Sequence, residues 1–147
     1  MLPRVEYSVT APATPQELWG AFCDLNRLLG RGIYSEAIWT EGQPWQPGSR
    51  LRYVVVHPLQ ATVAAVVTVN EPPAKIGLLN HSVGITAQQL VTFTRLNSAT
   101  TRVVMTMEFV GESTAPSHLD VAEALRFFTH DALDTMLAQL AENRKLP

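Results

Sequence analysis

The chain has 147 residues, 46% hydrophobic and 16% charged, the balance of one globular domain with a core large enough to stand without staples. A formal net charge of −2, with Lys and Arg scattered along the chain, excludes the basic stripe of a nucleic-acid binder. Cys23 is the sole cysteine, so no internal disulfide can form and a reducing compartment is the simpler setting.

The first stretch, "RVEYSVTA" (4–11), alternates Val5, Tyr7 and Val9 against Arg4, Glu6, Ser8 and Thr10, the period of a half-buried strand rather than of an apolar signal core. "ATPQELWGAF" then supplies a helix start. Thr14 is the N-cap, Pro15 the first helical residue, and Glu17 stands three after the cap. Leu18, Trp19, Ala21 and Phe22 give this helix its apolar side, and a second short helical piece over 24–30 ends in the glycines of "GRG".

From Ser35 to Glu112 the pattern is extended. Five reversals, at "PWQPG", "HPLQ", "NEPPA", Gly84 and "NSAT", separate six strands, which describes an antiparallel meander. The longest apolar stretch, "ATVAAVVTV" (61–69), falls well short of the roughly 20 residues of a membrane span. It reads as a buried strand, and the protein as soluble and cytoplasmic, with no membrane insertion. The chain closes on a helix predicted from the N-cap Ser117 to about Asn143. Val121, Leu125, Phe128, Ala132, Met136 and Leu140 recur at helical spacing, with Asp120, Glu123, Asp131, Asp134 and Glu142 away from them. Such a rod is about 40 Å long at 1.5 Å per residue, enough to cross a sheet.

This order resembles the helix-grip fold of the START-like superfamily, which includes birch-pollen-allergen-like proteins, plant hormone receptors and polyketide cyclase/dehydrase-like (SRPBCC) proteins. The resemblance covers essentially the whole chain, residues 1–147, as a single domain. It is carried by "APATPQELWGAFCDL" after the first strand, "W...G.PW.PGSRLR" entering the third, "VNEPPAKIGL" between the fourth and fifth, and "TTRVVMTMEF" as the last. It implies an α+β architecture: a curved seven-stranded antiparallel sheet wrapped around the long C-terminal helix, two short helices after the first strand, and a cavity between helix and concave face.

The residues lend this cavity their own support. Thr62, Ala64, Ala65, Val66, Val67, Gly77 and Ala87 on the strands, and Thr129 and Ala132 on the helix, are small or β-branched candidates for inward positions. With aromatics at 7% they fill a large bowl poorly, which points to a hydrophobic pocket with its mouth near the "PWQPG" and "HPLQ" loops. Leu51, Tyr53 and Val55 share one face of the third strand. In the last strand Val103, Met105, Met107 and Phe109 share the concave face, with Glu108 on the other. The expected lining is Trp39, Tyr53, Val55, Met105 and Met107 from the strands and Leu125, Phe128, Ala132 and Met136 from the helix. In the fifth strand, inward Leu79 and His81 would bring in a histidine, whereas inward Ile76, Leu78 and Asn80 would bring in an amide. Leu79 and His81 complete the expected set.

Signatures of harder chemistry are missing. His57, His81, His118 and His130 show no metal-site spacing, "GRGIYS" is not a dinucleotide loop, and no GxSxG elbow or P-loop occurs. No metal or cofactor is expected. His130 and Asp134, four apart in "THDALD", read as a solvated helix face. The expected function is binding of a small hydrophobic or aromatic molecule in a carrier, sensor or storage role. The first alternative is a cyclase/dehydrase-like pocket enzyme using His81 and Tyr53 as acid/base and orienting groups. The second is a co-chaperone-like interaction domain docking through the convex sheet or the Trp45 loop.

Overall fold

Alternation of apolar and polar residues builds β1 (Arg4–Ala11), whose Val5 and Ala11 are buried while Arg4, Glu6, Ser8 and Thr10 are exposed. The computed structural model describes residues 4–29, 32–57, 60–82, 84–110 and 119–145. α1 (Pro15–Cys23) starts as the sequence predicts. The Glu17 N–H donates to Thr14 Oγ1 at 3.2 Å and the Thr14 N–H to Glu17 Oε1 at 3.0 Å, so each satisfies an amide the helix leaves open. α2 (Asn26–Leu29) is a single turn, held at its start by Asp24 Oδ1, which accepts from the Asn26 N–H at 3.0 Å.

Six strands follow: β2 (Tyr34–Glu41), β3 (Arg50–Val55), β4 (Ala61–Glu71), β5 (Lys75–Ser82), β6 (Ile85–Arg95) and β7 (Thr101–Phe109). All pair antiparallel, in the order β1-β7-β6-β5-β4-β3-β2. α3 (Leu119–Lys145) then runs across the inner face, packed on β1, β7, α1 and α2. Its predicted cap, Ser117, lies outside the described residues. At the far end the Arg144 guanidinium donates to the Pro12 carbonyl at 2.6 Å and to Glu17 Oε2 at 3.2 Å, tying the last turn of α3 to the first turn of α1. No helix among the described residues is long and apolar enough to cross a membrane.

Register decides which side chains meet α3. One row of directly opposed residues runs Trp39–Leu51–Ala65–Asn80–Ala87–Phe109 from β2 to β7. The next runs Val67–Leu78–Gln89–Met107–Val5, and a third Ile76–Val91–Met105–Tyr7. The fifth strand therefore turns Ile76, Leu78 and Asn80 inward. Leu79 and His81 face outward, where His81 is exposed with Nδ1 2.8 Å from Thr86 Oγ1. The expectation that these two line the interior is corrected. "KIGLL" sets apolar residues on both faces, so hydrophobicity alone gives the strand no parity.

β4 corrects the list of small inward residues in the same way. Val63, Ala65 and Val67 face inward, toward the cluster that includes Leu28 of α2, whereas Thr62 and Ala64 are exposed and Val66 half-buried on the outer face. Val67 opposes Leu78 but Val69 opposes Gly77, so Thr68 is a bulged extra residue. Gly77 accommodates the bulge rather than lining the interior. A Cβ there would lie 2.7 Å from Thr68 Oγ1 and 3.1 Å from Val69 Cβ.

Candidate functional site

Among the described residues, the buried apolar side chains sort into three clusters rather than one. The largest joins Leu18 and Phe22 of α1 to Val91, Met105, Ala132 and Met136. A second, at the start of α3, joins Val5, Ala87, Met107, Phe109 and Leu125, with Phe128 against it. The third, under α2, joins Leu28, Leu51, Tyr53, Ala65, Val67 and Leu78, with Tyr34 and Trp39 against it. The expected lining residues are thus divided: Met105 with Ala132 and Met136, Met107 with Leu125 and Phe128, and Tyr53 with Trp39. Val55 is buried on the same face of β3 as Tyr53.

At the junction of these clusters the inner face turns short and polar. Asn80 has Ala65 on one side and Ala87 on the other, so the middle of its row is a trough between Leu51 and Phe109. Beside it stands Gln89, opposed by Leu78 of the third cluster and Met107 of the second. Gln89 is 7% exposed, yet its amide has only long contacts. Asn80 Nδ2 reaches its Oε1 at 3.4 Å, and its Nε2 points at Met105 Sδ at 3.7 Å. Buried amides ordinarily have shorter, better partners. Gln89 was missed from the sequence, although a signal was there. In "ITAQQLVTF" the alternation Ala87, Gln89, Val91, Phe93 puts one amide into an apolar series.

A charged group lies beneath α2. Arg27 is 7% exposed; its Nε–H donates to the Phe22 carbonyl at 2.9 Å and its Nη1 to Thr135 Oγ1 of α3 at 2.5 Å. The guanidinium also sits 4.5 Å from the centre of the Phe22 ring. Burial draws it below its ordinary pKa, while Tyr53, Tyr34 and Asp131 favour the charged form; an arginine so placed stays protonated at neutral pH. The same burial raises Tyr53 and Tyr34 above the usual phenol range, with the Asp131 charge adding to the effect on Tyr34, and pushes the Cys23 thiol up to about 12. All three are neutral at pH 7.

Around this charge the walls are aromatic. Tyr34 and Tyr53 stand edge to face with centroids 5.9 Å apart, and Tyr34 is 6.4 Å from Phe128. Asp131 and Thr135, which the helical pattern assigns to the polar side of α3, are 5% and 1% exposed. The reason is tertiary: α1 and α2 cover a second side of α3, so its buried arc is wider than the stripe that faces the sheet. His130 and Asp134 remain exposed, as their spacing predicts, with the His130 ring 3.7 Å from that of Tyr7.

The Pro/Trp loop is exposed, but the Trp45 ring at its tip folds in. Trp45 is half-buried, its indole N–H donating to the Cys23 carbonyl at 3.0 Å and its ring packed 5.1 Å from Trp39 and 6.0 Å from Phe22. It takes a left-handed backbone, φ 68°, that bulky residues seldom adopt. Its side chain thereby bridges the first and third clusters, so the ring is engaged within the fold while the rest of the loop is exposed. Among the described residues no group of three or more His, Cys, Asp or Glu could hold a metal ion.

Strand order, paired short helices and a terminal helix across the inner face define the helix-grip fold of birch-pollen-allergen-like and polyketide cyclase-like (SRPBCC) proteins, and solved structures share it. The chain is similar to Ara h 8.0201, with a TM-score of 0.79 at 11% identity over 97% of this chain and 99% of that one. It is also similar to the ZhuI aromatase/cyclase from Streptomyces sp. R1128, with a TM-score of 0.72 at 17% identity, covering 99% and 95%. Norcoclaurine synthase from Thalictrum flavum, as a point mutant in complex with a transition-state analogue, gives 0.71 at 10% identity over 98% and 97%. At such identities the likeness is one of fold, and the fold serves enzymes among others. The sequence matches no protein-family model and no curated protein.

Proposed function

We propose that the interior between α3 and the sheet binds a small, largely apolar aromatic molecule in a carrier, sensor or storage role. The observation that carries this reading is the trough Ala65–Asn80–Ala87. Three short side chains stand where three apolar clusters meet, and two amides there have only long contacts, with each other, with a thioether and with the Leu78 carbonyl. Apolar walls with a few convergent polar groups are the ordinary composition of a small-molecule site. A ligand there would gain ~25 cal/mol per Å² of apolar surface buried, less the cost of ordering it.

A second reading, a pocket enzyme acting on a polyketide-like or aromatic substrate, draws support from the buried Tyr53 and Asp131 and the half-buried Tyr34 around Arg27. It no longer has His81 as its acid/base, since that side chain is on the outer face. The binding reading is tested with N-phenylnaphthylamine, a neutral fluorophore. Saturable binding with enhanced emission is expected, together with its loss in Ala87→Phe at an unchanged melting temperature. If the wild type does not bind, or if Ala87→Phe costs the ~1–3 kcal/mol of an overpacked core, the trough is filled and the reading falls.

A further inference from the structure

We infer that Arg27 anchors the ligand, and that the ligand is an acid: an aromatic or otherwise apolar molecule carrying one anionic oxygen group, a carboxylate, sulfonate or phenolate. This rests on the binding reading and names its chemical class. A guanidinium taken out of water loses its hydration, and the loss is offset only where paired charge or good hydrogen bonds replace it. Around Arg27 the close partners are all neutral: the Phe22 carbonyl, the Thr135 hydroxyl and the face of the Phe22 ring. Asp131, buried on α3, is the charged neighbour and acts on it through its field. A guanidinium carries more N–H donors than the two used here, arranged in a planar fork that fits two oxygens of one anion.

Position makes the fork useful. Arg27 spans from α2 to Thr135 of α3, and its charge acts on both tyrosines of the β2–β3 wall. Tyr34, Tyr53 and Phe128 offer ring edges and faces to an aromatic body, and the Arg27 charge acts on the phenols of the two tyrosines. An anionic head at the fork would thus leave its apolar body among rings. A neutral hydrocarbon would use the rings alone.

Two probes that share one skeleton separate the contributions: anilinonaphthalene sulfonate, and N-phenylnaphthylamine, which lacks the sulfonate. The full chain should bind the sulfonate at least about tenfold more tightly at low salt, because a charge-assisted fork is worth that much or more. Arg27→Met should bring the two affinities together by weakening only the sulfonate. Arg27→Lys, a point charge without the fork, should retain a smaller preference. Equal affinities in the wild type, or a preference that survives Arg27→Met, would overturn the assignment of Arg27 and leave the binding reading intact. Failure of both probes to bind the wild type would remove the binding reading, and this inference with it. The wild-type ratio decides even where Arg27→Met fails to fold.

Discussion

Replacing Gln89 with leucine should make the empty protein more stable. The side chain is 7% exposed in a row whose other members, Val67, Leu78, Met107 and Val5, are all apolar. Leucine would lose the 3.4 Å contact with Asn80 and the 3.7 Å contact with Met105 Sδ. At those lengths the pair belongs at the bottom of the ~0.5–1.5 kcal/mol that a hydrogen bond contributes net. Against this stands the desolvation of a buried amide, about 1–3 kcal/mol by mutational measures. Asn80 is half-buried and keeps the Leu78 carbonyl at 3.5 Å, so little new penalty is created there. The difference is a gain of about 1–2 kcal/mol, or about 3–6 °C in melting temperature for a domain of this length.

Urea denaturation with an unchanged slope and calorimetry would both read that gain. The same variant should bind naphthol less well and naphthalene no worse, because only the first has a hydroxyl for the amides to orient. A loss of 1 kcal/mol or more would refute the reasoning. It would mean that Gln89 belongs to a fully satisfied structural network, not to a surface kept polar for a guest. A stabilising substitution that impairs binding is the usual mark of a site held at the expense of stability.

Two further outcomes test the frame around the site. Trp45→Ala should destabilise by about 2–3 kcal/mol, below the ~3–5 of a fully buried tryptophan because the ring is half-buried, and urea melts would show it. A change under 0.5 kcal/mol would mean that the bridge to Trp39 and Phe22 holds nothing together. Cys23 sets a pH dependence: its folded pKa of about 12 stands above the ~8.5 of an unfolded thiol. The folded state thus keeps a proton that the unfolded state releases, and the stability present below pH 8.5 is lost as pH rises toward 12. The wild type should lose about 1–2 kcal/mol between pH 8.5 and 10, and Cys23→Ala should be flatter over that window. Identical slopes would show that the thiol is more solvated than its place at the end of α1 implies.

The fold was legible because its signals are local and agree. The Thr14/Glu17 box, the period of β1, the turn residues between strands and the long apolar stripe of the last helix each specify one element, and together they leave one topology. The polar half of the candidate site was not legible, for a reason visible in Arg27 and Asp131. Arg27 is a charged residue in a single helical turn and Asp131 lies off the apolar stripe of α3, and both are buried where α1 and α2 pack on α3. Periodicity describes one face of one element. It carries no information about a second neighbour arriving from elsewhere in the chain. Leu79 and His81 failed differently, through a strand apolar on both faces whose register is fixed by Asn80 pairing with Ala65 and Ala87.

These two kinds of miss point at the same place. In a sequence whose local signals otherwise agree, the residues that contradict their own pattern are Arg27, Gln89, Asp131 and Thr135, and the structure buries all four. A domain of this size could cover its inner face with aliphatic side chains and methionine throughout, as the stretch Ile76–Val91–Met105 shows it does elsewhere. Keeping a guanidinium and an amide inside costs stability that mutation would readily remove. That cost is the physical argument behind the proposed polar guest group, which we place on the α2 side of the interior, near Arg27 and the tyrosines.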